Sequence, residues 1–371
     1  MRKHLVLVGG GHAHMVTLQN LHVFVNKGHA VTVIGPSRYH YYSGMGPGML
    51  SRIYSPGDIR FATEHVVTKQ GGTFILDRVV RVEAREQTVY LESGSSINYD
   101  VLSFNAGSYV PWDMVTGAHE DIFSVKPIET LLAAQQRILE LIGQKKISIS
   151  IVGGGPSSLE IAGNLWRLAE DSGKFRPTIR IFAGSELMSR FPAKIRKLAY
   201  RSLQDRNIEL IQHDYAEKIS SGQVTLASGK QYGSEIIFLA VGVKPSPIFK
   251  ESGLPTGPDG GLLVNRFLQS VAHPEIFGGG DCIYFQDQPL DKVGVYAVRE
   301  NPVLYHNLLA SLEGAELQPF EPGGPYLLIF NLGDGKGILA KKSLIFDGRP
   351  AFWIKDYIDR KFMRKFQALE K

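Results

Sequence analysis

One cysteine, Cys282, is present in 371 residues. A single thiol excludes an internal disulfide and any mechanism that cycles a dithiol, and it agrees with a reducing compartment. No apolar run approaches the roughly 18 residues that a bilayer-spanning helix needs. After the basic start Met1-Arg2-Lys3-His4, the apolar run Leu5 to Val8 is far short of the ~7–15-residue core of a secretory signal, so a cytoplasmic chain is expected. Hydrophobic residues make up 43% and charged residues 21% of the chain, which excludes disorder as its main state. The length exceeds the ~100–200 residues of a typical domain, so at least two are expected.

An excess of basic charge is absent from most of the chain. The net balance is 41 − 36 = +5. Between Lys341 and Lys371 nine Lys/Arg (Lys341, Lys342, Arg349, Lys355, Arg360, Lys361, Arg364, Lys365, Lys371) stand against four acids (Asp347, Asp356, Asp359, Glu370), a local +5 equal to the total. Net charge alone is then the only support for a nucleic-acid partner, and none is expected. The segment Tyr326 to Lys371 reads as a short β unit followed by an amphipathic helix, with Ile354, Ile358, Phe362, Phe366 and Leu369 at i+3/i+4 spacing and Lys355, Asp359, Arg364 and Lys365 on other faces. Such a helix fits a domain interface, a homodimer interface or an anionic membrane surface.

Glycine is plentiful, with 40 residues bunched into triplets and GxG turns. The strand His4 to Val8, the turn Gly9-Gly10-Gly11, a helix from about Ala13 to Asn26 and the strand Ala30 to Ile34 form a βαβ unit. The grammar recurs in Ile147 to Val152, Gly153-Gly154-Gly155, a helix from about Ser157 to Ala169, and the strand Thr178 to Phe182. Phe74 to Leu91 alternates like paired strands, and Asp100 to Asn105 and Ile236 to Val241 read as buried strands that deliver turns. A glycine turn between strand and helix lets backbone N–H groups approach a pyrophosphate. Both copies lack the third glycine of the fingerprint, having His14 and Ser158 there, and both lack the acid that binds a ribose hydroxyl at the end of the second strand. Glu186 stands two or three residues late. His12 and His14 form an HxH pair with no third or fourth metal ligand nearby, so they are expected to pack against a cofactor or cap the helix. Cys282 reads as a small buried hydrophobe, and Lys126 as a flavin-side or hinge lysine.

The stretches Gly9-Gly10-Gly11-His12-Ala13-His14, Tyr42-Ser43-Gly44-Met45-Gly46-Pro47-Gly48, Gly278-Gly279-Gly280-Asp281 and Gly294-Val295-Tyr296-Ala297-Val298-Arg299 resemble the flavoproteins with two dinucleotide-binding domains. Within them the chain is similar to the pyridine nucleotide-disulfide oxidoreductase-like branch that includes type II NADH:quinone oxidoreductases and a flavoprotein domain sometimes fused to selenophosphate synthetase. The closing Trp353 to Phe366 is similar to the same branch. The resemblance implies an α/β fold of two three-layer Rossmann-like domains, the second inserted into the first. Residues 1–115 and 245–320 would bind FAD, 116–244 would bind NAD(P)H, and 321–371 would form an interface or membrane-associating region.

Carried over by position, Gly9, Gly11 and the helix start at Ala13 would hold the FAD pyrophosphate, with His12 and His14 packing against the cofactor or capping the helix, and Pro36, Ser37 and Arg38 would line its adenosine end. Ser43, Gly44 and Met45 would lie beside the flavin, Asn105, Ala106 and Gly107 would close over it, and Gly280 and Asp281 would meet the ribityl or pyrophosphate region. Ala297 and Val298, at a helix N-terminus, would direct N–H groups to the flavin pyrimidine carbonyl. Gly153, Gly155, Ser157 and Ser158 would bind the nicotinamide dinucleotide, with Val241 and Gly242 beside it and Glu160 reaching the nicotinamide. The implied reaction passes hydride from NAD(P)H to flavin and two electrons on to a quinone-type acceptor, with Tyr296 and Glu300 as proton sources. Sulfide:quinone and dithiol chemistry needs a cysteine pair that this chain lacks. A flavin-binding redox sensor or accessory protein, linked to selenium metabolism, is the alternative reading. A peripheral position on the inner face of the cell membrane follows from the quinone acceptor.

Overall fold

Both glycine turns close a parallel sheet of the same plan. The computed structural model describes all 371 residues. In the first unit the strand order is Ile276–Gly278, Val101–Phe104, His4–Val8, Ala30–Gly35, Thr73–Leu76, all parallel. In the second it is Ile122–Ser124, Ile236–Leu239, Ser148–Val152, Thr178–Gly184, Glu209–Gln212, again all parallel. The central strands are continuous apolar runs because both faces are covered, as parallel sheets require. Leu5, Val6 and Leu7 are fully buried, as are Ile149 and Ile151. Each unit also carries a three-stranded antiparallel meander, Val79–Glu83, Thr88–Leu91 and Ser96–Asn98 in the first, Ala216–Ser220, Gln223–Leu226 and Gln231–Gly233 in the second. The chain leaves the first unit through Ser108–Tyr109 and returns through Lys244–Pro245, and these two short strands pair antiparallel.

The structure departs from the sequence reading in three places. The helix expected over Ala13 to Asn26 is broken into a 3-10 turn His12–His14 and helices Met15–Gln19 and Leu21–Asn26. Asn20 stands at the break, its side-chain N–H donating back to the Val16 carbonyl at 2.9 Å, the local competition that makes asparagine a poor helix interior residue. Thr73–Leu76 does not pair with the hairpin that follows it but joins the edge of the first sheet. The apolar face of the C-terminal helix, Arg349–Gln367, is split: Phe362 and Phe366 pack on the core beside Ala351, Lys355, Asp359 and Met363, while Trp353, Ile354, Tyr357 and Ile358 are 63%, 39%, 65% and 42% exposed.

That helix and the antiparallel strands Leu328–Asn331, Gly337–Lys341 and Leu344–Gly348 pack on the second unit. The contact is at backbone distance. A Cβ on Gly163, in the helix Pro156–Ser172, would lie 2.3 Å from the Leu332 carbonyl oxygen, and Gly333 is held at φ +86° against the Gly163 carbonyl. Arg206 seals this junction with an ion pair to Asp334 at 2.9 Å and a bond to the Leu332 carbonyl at 2.7 Å. Gly163→Ala is therefore expected to destabilise the chain by about 1–3 kcal/mol and to raise protease cleavage between residues 321 and 371. Urea denaturation with mapped proteolysis checks both.

Candidate dinucleotide sites

In the first turn Asn105 and Thr63 occupy the space that side chains would need. Gly9 has φ +89°, and a Cβ there would lie 2.3 Å from the Asn105 carbonyl oxygen. A Cβ on Gly11 would lie 2.3 Å from Asn105 Oδ1. The Asn105 carboxamide accepts from the Ala13 amide at 3.1 Å and donates to the Gly279 carbonyl at 2.7 Å. The amides of Gly10, Gly11 and His12 donate to no protein acceptor. Three free backbone donors in one glycine turn are the donor set an acceptor-only diphosphate needs, and the turn fits FAD on that ground.

Three expected cofactor contacts are corrected here. The Ala13 amide is taken by Asn105. His14 is fully buried, with Nδ1 donating to the Gly9 carbonyl at 2.7 Å and Nε2 accepting from the Ser103 hydroxyl at 2.8 Å. A carbonyl can only accept, which fixes the Nδ1–H tautomer; burial lowers the ring pKa to about 4. His14 thus supports the turn from behind. Met45 is enclosed in the second core, which leaves Ser43 and Gly44 as the accessible part of that stretch. At the proposed adenosine end, Pro36 is exposed, Ser37 half-buried, and Arg38 pairs with Glu64.

The second turn repeats the construction. Gly153, at φ +135°, would place a Cβ 2.1 Å from the Ala240 carbonyl oxygen, and Gly154 would place one 2.7 Å from that of Ala183. Gly155 has nothing within 4 Å of its Cβ position. The amides of Gly154, Gly155 and Ser157 donate to no protein acceptor and begin a 17-residue helix, Pro156–Ser172, so donors and dipole converge where Gly155 leaves space. Ser157 is exposed beside them. Ser158 is fully buried beneath the turn, at the place of the third glycine, and its hydroxyl has no partner within the protein. Val241 and Gly242 follow the strand Ile236–Leu239, with Gly242 at φ +95° and open space at its Cβ position. Glu186 pairs with Arg196, and the Tyr215 ring lies over Gly184, where a ribose-binding acid is missing.

Between the units, Lys126 donates to Asp281 Oδ2 at 2.6 Å and to Ser108 Oγ at 3.1 Å, and Ser108 donates to the same carboxylate oxygen at 2.8 Å. Burial works to raise the Asp281 pKa, but the Lys126 ammonium and these bonds hold it below the usual carboxylate value. Ala106 and Gly107 lead into Ser108 and stay accessible. Gly280 passes its amide to the Glu300 carboxylate. The helix that carries Glu300 is Gly294–Glu313, so it begins a turn earlier than expected: the free amides belong to Gly294 and Val295, whereas Val298 lies in the second turn and is 40% exposed. Ala297 is buried against the Gly280 turn. Tyr296 stacks edge-on with Tyr326 at 5.5 Å. Cys282 is fully buried, and burial pushes its thiol up to about 12.

The C-terminal helix supplies a cluster that the sequence pattern hid. Lys355 Nζ donates to Asp359 Oδ2 at 2.7 Å and to the Gly44 carbonyl at 2.7 Å, and the Tyr42 hydroxyl donates to Asp359 Oδ1 at 3.0 Å. An i, i+4 Lys/Asp pair reads as a solvated face, and only Tyr42, far away in sequence, turns it inward. Glu160 is not free to reach a nicotinamide with both oxygens, because Oε1 accepts from the Asn331 amide at 2.7 Å. Burial raises the pKa of Glu160 to about 7, with Lys355 opposing, and burial does the same for Glu300. An acid whose folded pKa is raised binds more protons folded than unfolded, so stability falls as pH rises from the ordinary glutamate value towards 7. Glu160→Gln is expected to flatten this fall in chemical denaturation between pH 5 and 8, with Glu300 left to supply the remainder.

The sequence profile of the family described as pyridine nucleotide-disulphide oxidoreductase matches residues 3–307. Demethylphylloquinone reductase NdbB of Synechocystis is 23% identical over 345 residues, covering 88% of this chain and 85% of that protein. The NADH dehydrogenase-like protein YutJ of Bacillus subtilis is 20% identical over 298 residues, covering 77% and 78%. Among solved structures, NDH2 of Plasmodium falciparum in complex with NADH superposes with a TM-score of 0.81 at 14% identity, covering 99% and 98% of the two chains. The sulfide:quinone oxidoreductase of Aquifex aeolicus does so with 0.80 at 18%, covering 99% and 92%. Two like glycine turns with free amides, on two like sheets, and a family profile over most of the length lead to one conclusion: the chain belongs to the pyridine nucleotide-disulphide oxidoreductase family, an oxidoreductase with FAD and NAD(P)H as its cofactors.

Proposed function

We propose that this protein is an FAD-dependent NAD(P)H:quinone-type oxidoreductase working at an anionic membrane surface. The observation that carries the reading is the pair of glycine turns, each with three amides unbonded within the protein, joined by the Lys126–Asp281 contact. Residues 1–115 and 245–320 hold FAD and 116–244 hold the nicotinamide dinucleotide. When bound, FAD supplies the redox chemistry, taking hydride from a nicotinamide and returning two electrons to an acceptor. The chain's own task is to position the two dinucleotides and exclude water, so no catalytic triad is required. Glu160, with a pKa of about 7, and Tyr296 are the groups that hold protons beside the reaction. Glu300 fixes the Gly280 amide and so acts on the cofactor turn. The single cysteine leaves no dithiol route to the acceptor.

The membrane part of the proposal rests on the exposed residues in the first half of the C-terminal helix. Trp353, Ile354, Tyr357 and Ile358, with Leu344 at 59% exposure, leave an apolar aromatic stripe in solvent. Lys361 and Lys365 lie on the same helix. Aromatic residues flanked by lysines suit the interfacial layer of a bilayer, where a quinone is reached. No helix is long and apolar enough to cross a membrane.

Purified protein is expected to oxidise NADH or NADPH with a water-soluble short-chain quinone. Gly155→Ala places a methyl in the space left for the dinucleotide; it is expected to change stability by less than about 0.5 kcal/mol yet raise the KM for the nucleotide ~10-fold or more. An unchanged KM would remove the second turn from the mechanism. The double substitution Trp353→Glu and Tyr357→Glu is expected to abolish co-sedimentation with phosphatidylglycerol vesicles while leaving short-chain quinone turnover intact. Loss of a dimer in place of vesicle binding would assign the stripe to a second copy of the chain.

A further inference from the structure

Two buried polar atoms beside the first glycine turn have no partner in the protein. Thr63 is 2% exposed and its hydroxyl is unbonded. It presses on the turn: a Cβ on Gly10 would lie 2.7 Å from Thr63 Cγ2 and 3.1 Å from Oγ1. His12 is 8% exposed, and its Nε2 is likewise unbonded. The other nitrogen, Nδ1, lies 3.3 Å from His40 Nε2. The ring is clamped by packing, stacked on Phe362 with centroids 5.6 Å apart and 17° between planes, and flanked by Tyr42 at 5.1 Å. Buried polar groups are almost always bonded, so an orphan beside free backbone donors needs a ligand to account for it. Here two such side chains flank the three free amides of Gly10, Gly11 and His12.

We infer that Thr63 Oγ1 and His12 Nε2 donate hydrogen bonds to the diphosphate oxygens of bound FAD, extending the backbone cradle with two side-chain donors. The inference rests on FAD occupying the first turn and goes beyond it by assigning these atoms. Phosphate oxygens are acceptors only, which sets the proton arrangement. His40 Nε2–H donates to His12 Nδ1, and His12 carries its own proton on Nε2, facing the ligand. The sequence alone gives Thr63 no distinction, because it stands more than fifty residues from the turn it touches.

The test uses two near-isosteric substitutions in the full-length, deflavinated chain. Thr63→Val keeps the shape and removes the hydroxyl; His12→Phe keeps the ring stacked on Phe362. Thr63→Val removes only an unbonded hydroxyl from the flavin-free protein and is expected to keep or raise its melting temperature, whereas His12→Phe also takes the acceptor from His40 Nε2–H and is expected to lower it. Each also removes a donor to a charged acceptor, so each is expected to weaken FAD binding ~10-fold, read as quenching of flavin fluorescence during titration. Ser270→Ala, which deletes a buried unbonded hydroxyl elsewhere, is expected to leave FAD affinity unchanged. Wild-type affinity in both variants would overturn the inference while leaving FAD binding at the turn intact. A lower melting temperature for flavin-free Thr63→Val would overturn it as well, since the hydroxyl would then have a partner inside the protein. Failure of the wild-type chain to take up FAD would remove the reading beneath it.

Discussion

The carboxamide of Asn105 is the interaction on which the first site depends. It joins the Ala13 amide to the Gly279 carbonyl, so one buried side chain ties together segments drawn from the start, the middle and the late part of the first unit. Its backbone carbonyl leaves no room for a side chain at position 9, and its carboxamide oxygen leaves none at position 11. With Ala13 and Gly9 both occupied by protein partners, the amides between them are the ones left to face a ligand. The second site reaches the same end differently, with the Ala240 and Ala183 carbonyls enforcing Gly153 and Gly154. Neighbouring backbone carbonyls demand glycine at positions 9, 153 and 154, and the Asn105 carboxamide demands it at 11.

A second constraint couples the units. Lys126 with Asp281, Lys355 with the Gly44 carbonyl, and Asp359 with Tyr42 are polar contacts between segments distant in sequence. A buried ion pair gains little net stability over an apolar isostere, while removal of one partner strands a charge, so such pairs specify geometry more than they add stability. Lys355 shows the effect clearly. By holding Gly44 and Asp359 together under the helix, it decides which face of that helix is inward and thereby turns Trp353 and Tyr357 out.

Much of the fold was legible because strand, glycine turn and helix follow one another locally. The strands His4–Val8, Ser148–Val152 and Ile236–Leu239 are runs of buried aliphatic residues, and the two GGG turns stand where the chain passes from strand to helix. What stayed hidden depends on partners far away in the chain. Periodicity placed Ile354 and Ile358 on the buried face of the last helix, but Tyr42 and Gly44 drew Lys355 and Asp359 there. His14 reads as packing against the cofactor or capping the helix, and only the Ser103 hydroxyl and the Gly9 carbonyl reveal it as a support behind the turn. The break at Asn20 is a local signal that the helical pattern of its neighbours outweighed. Thr63 carried no signal, since its significance lies in what it touches.

The central claim is that the two turns work as one path from a nicotinamide dinucleotide to FAD. Anaerobic stopped-flow absorbance at the flavin band tests it most directly, with purified protein mixed separately with NADH and NADPH. The account predicts rapid bleaching by at least one of the two. A chain that holds chemically reducible FAD but is bleached by neither would contradict it and leave a flavin-binding sensor or accessory protein in its place.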